Sequence, residues 1–187
     1  MEIYVIRHTQ VAVGKDVCYG QSDVPLADSF LEEVVALKEK LPTDIELVFS
    51  SPMPRCQNLV RALGYKNARL ESALQEMNFG DWEGKKWNDL PAEPLRLWME
   101  NFVETKTPNG ENLAELFERV ATFIDDLAEQ PPAKVLLVTH AGVIRCLWAY
   151  LLEIPLENIF KIPIAYGEIF SFDLQNDASR SMILNTK

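Results

Sequence analysis

The sequence predicts an α/β fold, a three-layer α/β/α sandwich around a mostly parallel central sheet. Two observations predict it. Three short runs rich in Val, Ile and Leu are continuously apolar, as strands covered on both faces must be. Stretches with helical spacing separate them, and strands that alternate with helices stack into three layers. With 187 residues, 48% hydrophobic and 25% charged, the chain can bury a core without metals or disulfides. One domain over residues 1–187 is the simplest organisation.

The elements follow in order. Ile3-Tyr4-Val5-Ile6 is the first strand and runs into Arg7-His8-Thr9. Ser29-x-x-Glu32 reads as a capping box opening a helix through Leu37. Leu47-Val48-Phe49 is the second strand, followed by Ser50-Ser51-Pro52. Ser51-Pro52 places a cap residue before a first-turn proline, so Arg55 falls in the first turn of the next helix. Leu113, Leu116, Phe117, Val120, Ile124 and Leu127 keep helical spacing on one face. Val135-Leu136-Leu137-Val138 is the third strand and leads into Thr139-His140-Ala141-Gly142, with a helix expected from Val143 to Leu152. Ile169-Phe170-Ser171-Phe172 alternates like a strand, and Ser181 to Leu184 is a candidate for another.

Charge and composition exclude several classes. A formal net charge of −10 disfavours nucleic acid, which needs a basic footprint. An anionic ligand must therefore be held by arginines that converge locally. Glu2 and Arg7 flank only a short apolar run, unlike a signal peptide, and no stretch approaches the roughly 18 apolar residues of a membrane span. Three cysteines (Cys18, Cys56 and Cys146) give no disulfide framework. A cytoplasmic protein without membrane contact is expected. Nothing in the sequence fixes the oligomeric state.

Ligands of open α/β sheets bind beyond the carboxyl ends of the strands. The chain has two histidines, His8 and His140, and each directly follows an apolar strand. Arg7 and Arg55 lie at strand ends as well. Guanidinium groups grip phosphate oxygens in pairs, and a helix N-terminus near Ser51 adds backbone donors. A neutral imidazole is a competent nucleophile near pH 7. The constellation suits phosphoryl transfer, with His8 attacking and His140 donating to a phosphate oxygen.

Rival phosphate chemistries do not fit. A cysteine phosphatase loop needs five residues between Cys and Arg, but Cys56 and Arg61 have four. Gly80 to Gly84-Lys85-Lys86 lacks the P-loop spacing and its hydroxyl. His8, His140 and Glu76 could make a two-histidine, one-carboxylate metal triad. The adjacent arginines oppose it, since cations beside a dication repel. No metal or cofactor is expected.

At this point the chain resembles the histidine phosphatase, or phosphoglycerate mutase-like, superfamily. The family's Arg-His-Gly opening appears as Arg7-His8-Thr9, and its Ser-Ser-Pro-x-x-Arg segment as Ser50-Ser51-Pro52-Met53-Pro54-Arg55. Leu74 to Gly84, containing Glu76, is similar to the family's acid/base loop. Pro108-Asn109-Gly110-Glu111 and Val138-Thr139-His140-Ala141-Gly142-Val143-Ile144-Arg145 complete the set. Thr9 and Ala141 depart from the family's glycines and add a Cβ each near the phosphate site.

The resemblance implies a metal-independent phosphomonoesterase with a phosphohistidine on His8. Arg7, Arg55 and His140 would hold the phosphate, Glu76 would be the acid and base, and Tyr19, Gly20 and Ala141 would contact substrate. Cys18-Tyr19-Gly20-Gln21-Ser22-Asp23-Val24-Pro25-Leu26 resembles the alpha-ribazole-5'-phosphate phosphatases of cobalamin nucleotide-loop assembly. Other small phosphatases or mutases of the superfamily are the alternative. The short span from Glu83 to Pro108 lacks the longer insertion that the resemblance implies for mutases, and favours hydrolysis. A reading of another class is a non-catalytic module that binds a phosphorylated small molecule.

Overall fold

The computed structural model describes residues 1–131, 133–175 and 182–186. Its strands are β1 (Glu2–Arg7), β2 (Leu47–Ser50), β3 (Arg69–Leu70), β4 (Lys134–Thr139), β5 (Ile169–Asp173) and β6 (Met182–Thr186). Its helices are α1 (Phe30–Lys40), α2 (Pro54–Leu63), α3 (Ala92–Glu100), α4 (Leu113–Ala128) and α5 (Ala141–Leu152). The sheet order is β3-β2-β4-β1-β5-β6. The β3–β2, β2–β4 and β4–β1 pairs are parallel, whereas β1–β5 and β5–β6 are antiparallel.

Alternation along the strands sorts the core into two layers, because successive side chains point to opposite faces. Ile3, Val5, Val135, Leu137, Phe170 and Phe172 pack under α4 and α5, against Leu116, Val120, Ile144 and Leu147. Ile6, Val48, Leu136, Val138 and Ile169 face α1 and α2, where Leu37, Leu59 and Val60 meet them. Each such side chain contributes roughly 1.5–3 kcal/mol by leaving water. Both faces of the strands are covered, which explains why their sequences run apolar without interruption. Among the described residues no helix is long and apolar enough to cross a membrane.

Local details differ from the sequence expectations. Ser29 is no capping-box residue: its backbone is helical and its hydroxyl donates to Glu33 Oε1 at 2.6 Å, while α1 continues to Lys40. The capping box sits at α4, where Asn112 Oδ1 accepts from the Glu115 N–H at 2.9 Å and Glu115 Oε2 from the Asn112 N–H at 3.2 Å. The proline that opens α2 is Pro54, not Pro52, because the residue before a proline avoids the helical region. Met53 is accordingly extended and Arg55 still falls in the first turn. Helix α5 starts at Ala141, two residues before the expected Val143. β6 starts at Met182; Ser181 lies outside the described residues.

Candidate active site

Sheet register brings the two histidines together. Arg7 of β1 pairs with Thr139 of β4, so the next residues, His8 and His140, leave the sheet side by side. Their ring centroids are 5.1 Å apart. The His8 N–H donates to the Thr139 carbonyl at 2.9 Å, fixing the exit of β1. Because β5 is antiparallel to β1, its entry loop lies at this same edge, and Tyr166 stands 5.5 Å from the His8 ring.

His8 is 2% exposed, and its Nδ1 lies 2.8 Å from the Thr9 carbonyl. A carbonyl only accepts, so Nδ1 carries the proton and Nε2 keeps its lone pair. Burial, reinforced by the Arg55 and Arg7 charges, pushes the His8 pKa down to about 3 against the opposing Thr9 bond. The ring is neutral at pH 7. His140 is fully buried and held well below the ordinary histidine range, first by burial and then by the Arg55 charge. Its Nδ1 accepts from Arg55 Nε at 3.3 Å, which leaves Nε2 to donate to Ser51 Oγ at 2.8 Å.

The two arginines differ in how they are satisfied. Arg55, 1% exposed, donates through Nη1 to the Ser22 carbonyl at 2.9 Å and through Nη2 to the Gly20 carbonyl. Arg7 donates through Nη1 to the Ile164 carbonyl at 2.6 Å and stacks 3.7 Å over the Tyr166 ring. Its buried Nε has no hydrogen-bond partner among the described residues. A buried donor left unpaired costs roughly 1–3 kcal/mol, which an anionic oxygen in this place would remove.

Glu76 sits in an irregular stretch between two 3-10 turns, Ser72–Leu74 and Gly80–Trp82. Its half-buried carboxylate accepts from the N–H of Gly142 at 3.0 Å and of Met77 at 3.0 Å. Gly142 has to be glycine for this contact, since a Cβ there would lie 2.1 Å from Glu76 Oε1. A cavity of about 490 Å³ joins these groups, lined by Arg7, His8, Tyr19 and Glu76. Arg55, His140, Gly20 and Ala141 do not line it, and Arg55 borders a separate cavity with Asp23 and Asn58. Gly20 packs so tightly on the Glu76 loop that a Cβ would lie 1.8 Å from the Met77 carbonyl. Thr9 is buried, with its Oγ1 unpartnered among the described residues, and Ala141 is the first residue of α5.

The sequence reading missed much of the cavity wall. Lys15 and Arg145 add cations, and Phe79, Trp87, Phe160 and Tyr166 add aromatic faces. Among the lining side chains three cations face one carboxylate, Glu76, inside a chain of net charge −10. The Tyr166 hydroxyl lies 2.6 Å from that of Tyr19. Arg145 could have been found from its place on α5, five residues after His140. Tyr166 required knowing that β5 runs antiparallel, and Trp87 and Phe160 carry no local signal.

The family model described as "Histidine phosphatase superfamily (branch 1)" matches residues 3–187. The adenosylcobalamin/alpha-ribazole phosphatase of Escherichia coli is 28% identical, over 100% of this chain and 97% of that one. A provisionally named phosphoserine phosphatase of Hydrogenobacter thermophilus is 26% identical, over 98% of this chain and 94% of its own. The crystal structure of the alpha-ribazole phosphatase from Shigella flexneri superposes with a TM-score of 0.89 at 27% identity, covering 100% of this chain and 96% of that one.

Proposed function

We propose that this chain, which belongs to the histidine phosphatase superfamily, hydrolyses alpha-ribazole 5'-phosphate through a phosphohistidine on His8. The observation that carries the chemistry is the His8 ring itself. It is neutral, its Nδ1 proton is committed to Thr9, and its remaining lone pair belongs to a side chain on the cavity wall. Residues 1–187 act in this reading as one domain.

Nε2 attacks phosphorus in line, forming the N–P bond as the bond to the leaving oxygen breaks. Glu76, protonated in the Michaelis complex, gives that oxygen its proton, and as the resulting carboxylate then takes one from the water that cleaves the N–P bond. Such proton transfer contributes about 10²–10⁴-fold. Arg7 receives a phosphate oxygen on its unpartnered Nε–H. Arg55 and His140 stabilise the equatorial oxygens. In the free site both His140 ring nitrogens are engaged, Nδ1 accepting from Arg55 Nε and Nε2 donating to Ser51 Oγ, so His140 donates to phosphate in this reading by turning its Nε2–H away from Ser51. No metal or organic cofactor takes part.

The aromatic wall supports the substrate class. Trp87, Phe79, Phe160 and Tyr166 offer stacking faces to a heteroaromatic leaving group, and about 490 Å³ accommodates one. Lys15 and Arg145 favour a second reading, in which they hold the carboxylate of phosphoserine or a phosphoglycerate. Comparing kcat/KM for alpha-ribazole 5'-phosphate, phosphoserine and 3-phosphoglycerate decides between them. At least a tenfold preference for the first is expected. A preference for either carboxylate-bearing substrate contradicts it.

A further inference from the structure

The geometry points to Arg119 and Glu111 as a positioning pair that holds Glu76 in place for proton transfer. The inference rests on the acid–base reading of Glu76 and adds to it two residues that touch no substrate, since neither lines the cavity. Glu76 belongs to a stretch with no helix or strand to fix its backbone, residues 75–79. A general acid so placed needs other anchors, because a displacement of about 1 Å can cost on the order of 10²-fold in rate.

Arg119, on α4, supplies those anchors. Its Nη1 donates to the carbonyls of Ala73 at 2.6 Å and Gln75 at 2.8 Å, and its Nη2 to that of Glu76 itself at 3.1 Å. The guanidinium is oriented by Glu111, which accepts from Nε and Nη2 at 3.2 Å each. Two parallel bonds of this kind fix the plane as well as the position of an arginine. Glu111 also holds the far side of the loop, accepting from the Asn78 N–H at 2.8 Å through Oε2 and donating its own N–H to the Asn78 carbonyl at 2.8 Å. Four of the six residues from 73 to 78 are thus tied to one ion pair.

The Pro108-x-Gly110-Glu111 motif acquires a physical reason. A Cβ on Gly110 would lie 2.4 Å from the Asn78 carbonyl and 2.8 Å from the Gly80 N, so only glycine lets this turn approach closely enough to present Glu111. On the other side of the loop, Gln21 Nε2 donates to the Glu76 carbonyl at 3.0 Å.

The test exploits the leaving group. An alkyl phosphate needs a proton on its departing oxygen, whereas p-nitrophenyl phosphate departs as a stable phenolate. Single-turnover rates of enzyme phosphorylation are measured on both for wild type, Glu76→Gln, Arg119→Ala and Glu111→Gln. If the pair positions Glu76, Arg119→Ala loses on the order of 10²-fold on the alkyl ester but far less on p-nitrophenyl phosphate, as Glu76→Gln does. Glu111→Gln, which keeps the shape of the pair, shows the same selectivity to a smaller degree and serves if Arg119→Ala does not fold. Equal losses on both substrates, with Glu76→Gln selective, overturn the positioning role alone. A non-selective Glu76→Gln overturns the acid assignment on which it rests.

Discussion

The sheet edge and the loop wall meet in one cavity but are built by different physics. His8, His140 and Arg55 stand one or a few residues beyond parallel strands, where β1–β4 register alone sets two rings 5.1 Å apart. Glu76, Tyr19, Phe79 and Trp87 come from loops and 3-10 turns held by side chains reaching over from elsewhere. The first region is buried and electrostatically committed before any ligand arrives. The second gives the cavity its shape and its aromatic faces. The nucleophile placed on a rigid edge and the aromatic faces placed on loops can then change independently, while Glu76 reaches the chemistry from the loop wall.

Acidification should strain the sheet edge most. Both histidines have folded pKa values below the unfolded 6.5, so the unfolded chain binds more protons as pH falls through that value. Their stabilising contribution is complete above about pH 6.5 and is lost toward the folded pKa, about 3 for His8. The slope approaches about 1.4 kcal/mol per pH unit for each imidazole. The chain has only these two histidines, so between about pH 6.5 and 5, where most carboxylates are ionised in both states, they give the main difference in proton binding between the folded and unfolded chain. Urea unfolding across that window should show stability falling with pH, less steeply in His8→Ala. A flat profile in both proteins would mean that the rings are not held neutral.

The loop wall should respond in affinity instead. Trp87 lines the cavity and is backed by Trp98, whose ring centroid is 6.1 Å away and nearly parallel. Stacking on an aromatic side chain is worth about 1–3 kcal/mol per base. Trp87→Ala should therefore raise KM for alpha-ribazole 5'-phosphate by about tenfold. Its kcat on ethyl phosphate, which has nothing to stack, should stay unchanged. A fall in kcat on both substrates would erase the distinction between the two regions.

The same division explains what could be read from the sequence. Strands β1, β2 and β4 were legible because burial on both faces leaves unbroken apolar runs, and the strand-end rule then pointed to His8, His140, Arg7 and Arg55. Helix α3 was not legible: Trp98 is its only buried residue, and Arg96 ties Glu93 and Glu100 on its exposed face. The two-residue β3 is too short to leave a pattern. Ser29 and Asn112 both precede a Glu at the right spacing, and only the tertiary setting selects the second as a capping box. Lys15, Trp87, Phe160 and Tyr166 converge from loops distant in sequence, so no local spacing could announce them.

The most direct measurement is to mix enzyme with substrate, quench in alkali within one turnover and map the phosphoryl group by mass spectrometry. A phosphoryl group on His8, stable in alkali, lost in acid and absent from His8→Ala, is the expected result. A turnover-competent enzyme that yields no such adduct, or carries it on another residue, contradicts the account.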